Sequence, residues 1–245
     1  LIYSFLVFCL ISSSIYVLND IIDVKSDKNH PLKSKEKPIA SGKIKLKFAL
    51  LIFFIVTIFA IYLLFNNKII LFNVALYLFF NLSYIFFIKT IPIIEMIFLA
   101  IGYVIRVDVG SKVINVESSY LMLFSTFILA LFFICLKRLG ELNLLDHNHN
   151  VYNTRKVLKF YNSRILKFIS LMTIFILSIL IFIYIYKINI QLIFSFLFIL
   201  VFLFRYYIVT RNTSLGESPI SLILNDKKLL LLSTLILFAS FLIYF

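Results

Sequence analysis

The sequence predicts an all-α, polytopic bundle of transmembrane helices, and three observations predict it. Hydrophobic residues make up 62% of the chain and charged residues 14%, with a mean hydropathy of +1.06; a soluble domain averages about 45–50% apolar and about 25% charged. The apolar residues fall in unbroken runs close to the ~20 residues that a helix needs to cross a bilayer. Those runs lack the strict alternation of a membrane β-strand, which argues against a barrel.

Eight spans are predicted. The first, Leu1–Leu18, contains only apolar or small residues and runs straight into a polar stretch. It lacks the basic n-region and cleavage site of a signal peptide. The others are Leu46–Phe65, Ile69–Ile88, Ile91–Val107, Tyr120–Leu136, Ile165–Tyr186, Ile190–Tyr207 and Leu229–Phe245. Sorted by connecting segment, twenty Lys and Arg fall on one side and four on the other. The positive-inside rule makes the richer side cytoplasmic. That asymmetry accounts for much of the +13 net charge, so no nucleic-acid partner is implied. Cys9 and Cys135 both lie in apolar runs and read as small buried hydrophobes. Neither a tandem repeat nor a linker divides residues 1–245, which therefore read as one membrane domain; a homo-oligomer stays open.

The first half has one long polar stretch, Asn19 to Gly42, reading NDIIDVKSDKNHPLKSKEKPIASG. Asp20, Asp23 and Asp27 are three and four residues apart, a spacing that puts three carboxylates on one helix face. Like charges stacked there repel, and a hard divalent cation such as Mg2+, which takes carboxylate oxygens, removes the repulsion. An acidic solvated segment beside the membrane is the alternative. Behind the aspartates come His30 and a basic run, Lys33, Lys35, Lys37, Lys43 and Lys45. Such lysines either hold anionic oxygen or simply set orientation.

The run Asn19-Asp20-x-x-Asp23-x-x-x-Asp27-x-x-His30-Pro31-x-Lys33, followed by Pro38-Ile39-Ala40-Ser41-Gly42, resembles the first aspartate-rich motif of UbiA-type intramembrane prenyltransferases. The His-Pro-x-Lys and Pro-Ile-Ala-Ser-Gly pieces are similar to the decaprenyl-phosphate phosphoribosyltransferase branch. Two departures stand out: Lys37 occupies the place of an arginine, and the gap between Lys33 and Pro38 is one residue longer. A lysine cannot reproduce a bidentate arginine clamp. The resemblance implies nine spans, hence one helix before Leu1.

Three more patches carry the likeness. Lys89-x-x-Pro92-x-x-Glu95 followed by Ala100-Ile-Gly102-Tyr-Val-Ile-Arg106 resembles the same branch, with Glu95 where an aspartate is usual and Asp108 where a small residue is expected. Glu95 and Arg106 are eleven residues apart, three turns along one face. Arg106 points into a polar cavity or snorkels to the far interface. Lys137-Arg138-x-x-Glu141, at the start of a second polar loop running to Arg164, resembles the branch's second motif and lacks the second DxxxD of aromatic prenyltransferases. His147 and His149 alternate too loosely to suggest a metal site. The last patch, Gly216-Glu217-Ser218-Pro219 with Asn225-Asp226, reads as a structural, helix-capping segment.

The resemblance implies a membrane transferase that moves 5-phosphoribose from phosphoribosyl diphosphate to a polyprenyl phosphate at the cytoplasmic face of a bacterial inner membrane. It implies Mg2+ on Asp20, Asp23 and Asp27, with Asn19, His30, Lys33, Lys37, Lys89, Lys137, Arg138 and Glu141 as the substrate- and phosphate-binding set. An aromatic prenyltransferase using a prenyl diphosphate is the rival enzyme, and a transporter of an anionic lipid or metabolite is the rival outside enzymes.

Overall fold

A computed structural model of the chain describes residues 2–30, 33–65, 68–147, 156–188, 193–211 and 213–244. Among them every regular element is helical. The α-helices are α1 Ile2–Ile22, α2 Val24–Lys28, α3 Lys33–Glu36, α4 Leu46–Phe65, α5 Lys68–Phe86, α6 Ile94–Val113, α7 Tyr120–His147, α8 Ser163–Ile188, α9 Ile193–Thr210, α10 Pro219–Asn225 and α11 Lys227–Tyr244. Four of them contain stretches long and apolar enough to cross a membrane: Ile2–Ile22, Leu46–Leu64, Tyr120–Leu144 and Ser163–Tyr186. Leu71–Phe86 and Ser195–Thr210 are shorter apolar helices. The twenty-residue α6 is set apart by Glu95, Arg106, Asp108 and Lys112.

One expectation is corrected. The second polar segment does not begin as a loop at Lys137, because α7 continues eleven residues past Leu136. The reason lies in its apolar spacing: Leu139 is fully buried, and Arg138 and Glu141, three residues apart, form an ion pair along the helix.

The chain divides into two compact units, one of α1 to α6 with residues 156–159 and one of α7 to α11. In the first unit Val7, Ile11 and Ile15 recur every four residues, so α1 presents one apolar stripe. Ala60 and Leu64 of α4, Val74, Tyr77 and Tyr84 of α5, and Ile105 and Val109 of α6 complete that core. The outer faces stay apolar as well: Phe48, Phe54, Ile58 and Tyr62 of α4 are exposed, as suits helices solvated by acyl chains. At the far end of α6, Asp108 accepts from Asn73 at 2.7 Å and Ser118 at 2.5 Å and pairs with Lys112 at 2.8 Å. The aspartate that the sequence leaves without a role thus ties α5, α6 and the segment before α7 together.

In the second unit Phe132, Leu136, Leu139, Leu166, Leu177, Leu203, Tyr206 and Leu229 form the buried interior. The turn after α9 lies directly on α7. A Cβ on Gly216 would stand 2.7 Å from the Leu136 carbonyl oxygen and 3.4 Å from the Cα of Gly140, so only glycine fits this approach. Asn143 reaches the same turn, donating to the carbonyls of Thr213 at 2.9 Å and Thr210 at 3.4 Å. Asp226 caps α11 as the sequence suggests: Oδ1 accepts the Lys228 and Leu229 N–H groups at 2.9 and 3.2 Å. Its Oδ2 takes Arg205 Nη2 at 2.7 Å. Burial alone would raise the Asp226 pKa; the Arg205 and backbone hydrogen bonds outweigh it and hold the carboxyl below the usual range.

Candidate functional site

The aspartates lie where α1 ends. Helical backbone bonding carries through the break at Asp23: its N–H reaches the Asn19 carbonyl at 2.9 Å, and the Asp27 N–H reaches the Asp23 carbonyl at 2.8 Å. Asn19, Asp23 and Asp27 therefore keep their four-residue spacing across two short helices. At Asn29 and His30 the bonding tightens to three-residue closures, to Ser26 and Asp27, and the run ends. Pro31 of the His-Pro-x-Lys piece lies outside the described residues.

The chain then returns. Ser41 bonds back to Lys37, Gly42 to Ile39, and Ile44 to Pro38. Gly42 sits at φ 79, in the left-handed region where glycine costs least. Ile39 and Ala40 are buried. The Pro-Ile-Ala-Ser-Gly piece is therefore an anchored turn, and what it anchors is Lys37. Lys37 Nζ stands 2.7 Å from Asp20 Oδ1 and 2.7 Å from Asp27 Oδ2. Asp27 is 6% exposed, so this is a largely desolvated pairing. Asp23 turns elsewhere, with Oδ1 2.5 Å from Nζ of Lys89, in the 3-10 turn Ile88–Thr90 between α5 and α6. Three aspartates on one face thus become a pair and a single. Among the described residues no three His, Cys, Asp or Glu side chains stand close enough to hold a metal by themselves.

The remaining candidates divide by burial. His30 is 2% exposed, and its Nδ1 accepts the Lys33 backbone N–H at 3.3 Å, which fixes the entry to α3. Asn19 Oδ1 is buried with no hydrogen-bond partner among the described residues. Glu95 is fully buried and accepts from the Tyr84 hydroxyl at 3.5 Å. In the second unit Arg138 and Glu141 seal each other at 2.8 Å, 1% and 3% exposed, while Lys137 on the adjacent face is partly buried. His149 and the His147 side chain lie outside the described residues. The sequence does not reveal Tyr16 and Tyr77, whose hydroxyls accept from Arg106 Nη2 at 3.1 and 2.6 Å. One signal was there for Tyr16: it precedes Asp20 by a single turn.

The Lys37 pair has a pH signature. Burial alone would lower the Lys37 pKa, but the hydrogen bonds and charges of Asp20 and Asp27 prevail and hold it above the usual 10.5. A raised pKa means that the pairing contributes its full stability below the unfolded value and loses it as pH rises through the folded one. The difference in Tm between the wild type and Lys37→Met should stay level from neutral pH to about 10 and shrink as the pH rises beyond 10.5. Thermal melts at matched ionic strength check this.

A family model described as the UbiA prenyltransferase family matches residues 1–225. Similar proteins include the decaprenyl-phosphate phosphoribosyltransferases of Mycolicibacterium smegmatis (30% identical, covering 68% of this chain and 52% of the relative), Corynebacterium glutamicum (29%, 68% and 50%) and Mycobacterium tuberculosis (30%, 68% and 54%). The chain spans about half the length of the curated relatives it matches. With the paired aspartates at the end of an apolar helix and a family match over most of its length, the chain belongs to the UbiA prenyltransferase family.

Proposed function

We propose that this chain carries the centre of a Mg2+-dependent transferase that moves 5-phosphoribose from phosphoribosyl diphosphate to a polyprenyl phosphate. One observation carries the reading: Asp20 and Asp27 converge on a single cationic nitrogen at the end of an apolar helix. Mg2+ is commonly held by one or two carboxylates, with waters and substrate phosphates completing the shell. Two converging carboxylates and the orphaned Asn19 Oδ1 are hard oxygens of the right kind, so the residues fit the ion. When bound, Mg2+ supplies positive charge to the leaving diphosphate.

The rest is work for side chains. An acceptor phosphate oxygen bonds to the anomeric carbon as that carbon's bond to diphosphate breaks, and the electron pair leaves with diphosphate. A phosphate monoester has its second pKa near ~6, so the acceptor is anionic at neutral pH and needs no strong general base. The task is to hold two anions in line and neutralise one of them. Lys37 and Lys89, now on carboxylates, are cationic donors for diphosphate oxygens. Asp23 holds Lys89 by an ion pair. His30 and Lys33 shape the turn that bears Lys37. Of the second motif, Lys137 is partly buried and Arg138 is paired with Glu141 at 2.8 Å.

The names of the relatives support the phosphoribosyl branch. The split of twenty against four basic residues supports an orientation with the aspartates facing the cytoplasm of a bacterial inner membrane. Membranes containing the protein, given labelled phosphoribosyl diphosphate and a polyprenyl phosphate, should yield lipid-soluble label only when Mg2+ is present. Absence of that label together with prenylation of an aromatic acid would replace this reading with the aromatic prenyltransferase.

A further inference from the structure

A cavity of about 700 Å³ lies within the first unit between α1 and α6. Phe5, Phe8 and Val109 make most of its wall apolar, Ser12 and Tyr16 add hydroxyls, and Arg106 contributes its one charge. The guanidinium is held in place: Nη2 donates to the Tyr77 and Tyr16 hydroxyls, and the group lies 5.2 and 5.3 Å from the ring centroids of Tyr77 and Tyr103. All of these partners are neutral. Asp108, two residues further on, is taken by Lys112, Asn73 and Ser118. Among the described residues no carboxylate pairs with Arg106. A cation without a counter-charge inside an apolar bundle is costly, and cation–π contacts recover only part of that cost.

We propose that Arg106 anchors the phosphate of the acceptor lipid and that the cavity along α1 receives the first part of its polyprenyl chain. The identity of the lipid rests on the function proposed above. Charge argues for the head group, since arginine's planar fork matches phosphate geometry and replaces neutral partners with a charge-assisted pair. Position argues for the acceptor in particular. Tyr16 precedes Asp20 by four residues, so the polar end of the cavity lies one turn, about 6 Å of helix rise, from a carboxylate that would hold Mg2+ for the diphosphate. From there the cavity runs towards Ile2 and Phe5, whose exposed side chains let a longer chain continue into lipid. Arg106 is thereby a binding residue, held by Tyr16 and Tyr77 instead of reaching for the far interface.

Gly110 makes the test clean. It lines the cavity, and a Cβ built on it meets nothing within 4 Å, so a larger side chain there enters the cavity without disturbing the packing. Binding is read by native mass spectrometry of the purified protein in micelles, with a polyprenyl phosphate and the polyprenol of equal length. The wild type should prefer the phosphate by about tenfold or more, the scale of a hydrogen-bonded charge. Arg106→Gln should bring the two ligands within about twofold, Arg106→Lys should restore part of the preference, and Gly110→Leu should weaken both by about tenfold. In turnover the KM for polyprenyl phosphate should rise in Arg106→Gln and Gly110→Leu while the KM for phosphoribosyl diphosphate stays. A preference that survives Arg106→Gln, or affinities untouched by Gly110→Leu, overturns the proposal. The expected binding pattern in a wild type that transfers no phosphoribose leaves the anchor standing and removes the proposed reaction.

Discussion

Asp27→Asn is expected to lower kcat/KM for phosphoribosyl transfer by about 10²–10³-fold, the scale on which a preorganised electrostatic partner of the leaving group acts. The substitution keeps the shape of the side chain and removes its charge. Asp27 is the more buried member of the pair on Lys37, so few waters stand ready to replace the lost oxygen. Two readouts separate a lost ligand from a lost fold. The Mg2+ concentration giving half-maximal activity should rise, because one of two converging carboxylates is gone. The melting temperature should fall only modestly, because Lys37 keeps Asp20 at 2.7 Å. Asp20→Ala should abolish turnover in the same way. Near-normal turnover in either variant would remove the metal assignment and leave Lys37 as a structural clasp between two helices.

The pair on Lys37 was half legible in the sequence. Asp20 and Asp27 are seven residues apart, two turns of one helix face, and that much follows from spacing. What spacing could not supply was the partner. Lys37 arrives through a turn whose geometry depends on Gly42 at positive φ and on the burial of Ile39 and Ala40. Asp23 departs because its cation, Lys89, comes from sixty-six residues further along the chain. The helices themselves were readable because lipid-facing and core-facing positions are both apolar, leaving unbroken runs. The same property hid where helices end. Nothing in the run before Leu136 says that α7 should continue through Lys137 and Arg138; that depends on Gly216 and Asn143 bonding or packing from one side and on Glu141 cancelling the Arg138 charge. Arg106 shows the opposite case. Its sequence leaves a cavity and a distant interface equally open, and the tyrosine hydroxyls from α1 and α5 decide between them.

Glu141→Ala should destabilise the second unit by about 3–5 kcal/mol, the loss measured when one partner of a buried ion pair is removed. Arg138 is 1% exposed and Glu141 3%, so water cannot take the place of the lost carboxylate. The turn at Gly216 rests on the same stretch of α7, at Leu136 and Gly140, and should loosen with it. Chemical unfolding followed by circular dichroism in micelles measures the cost. Replacing both residues, Arg138→Met with Glu141→Leu, should recover most of the lost stability, since an apolar pair of similar volume needs no counter-charge. That double variant also decides what the second motif is for. If Arg138 only holds α7 together, phosphoribosyl transfer should return with stability. If turnover stays low in a variant that melts like the wild type, the guanidinium leaves Glu141 for a phosphate during the reaction, and the ion pair is the resting state of a substrate-binding residue.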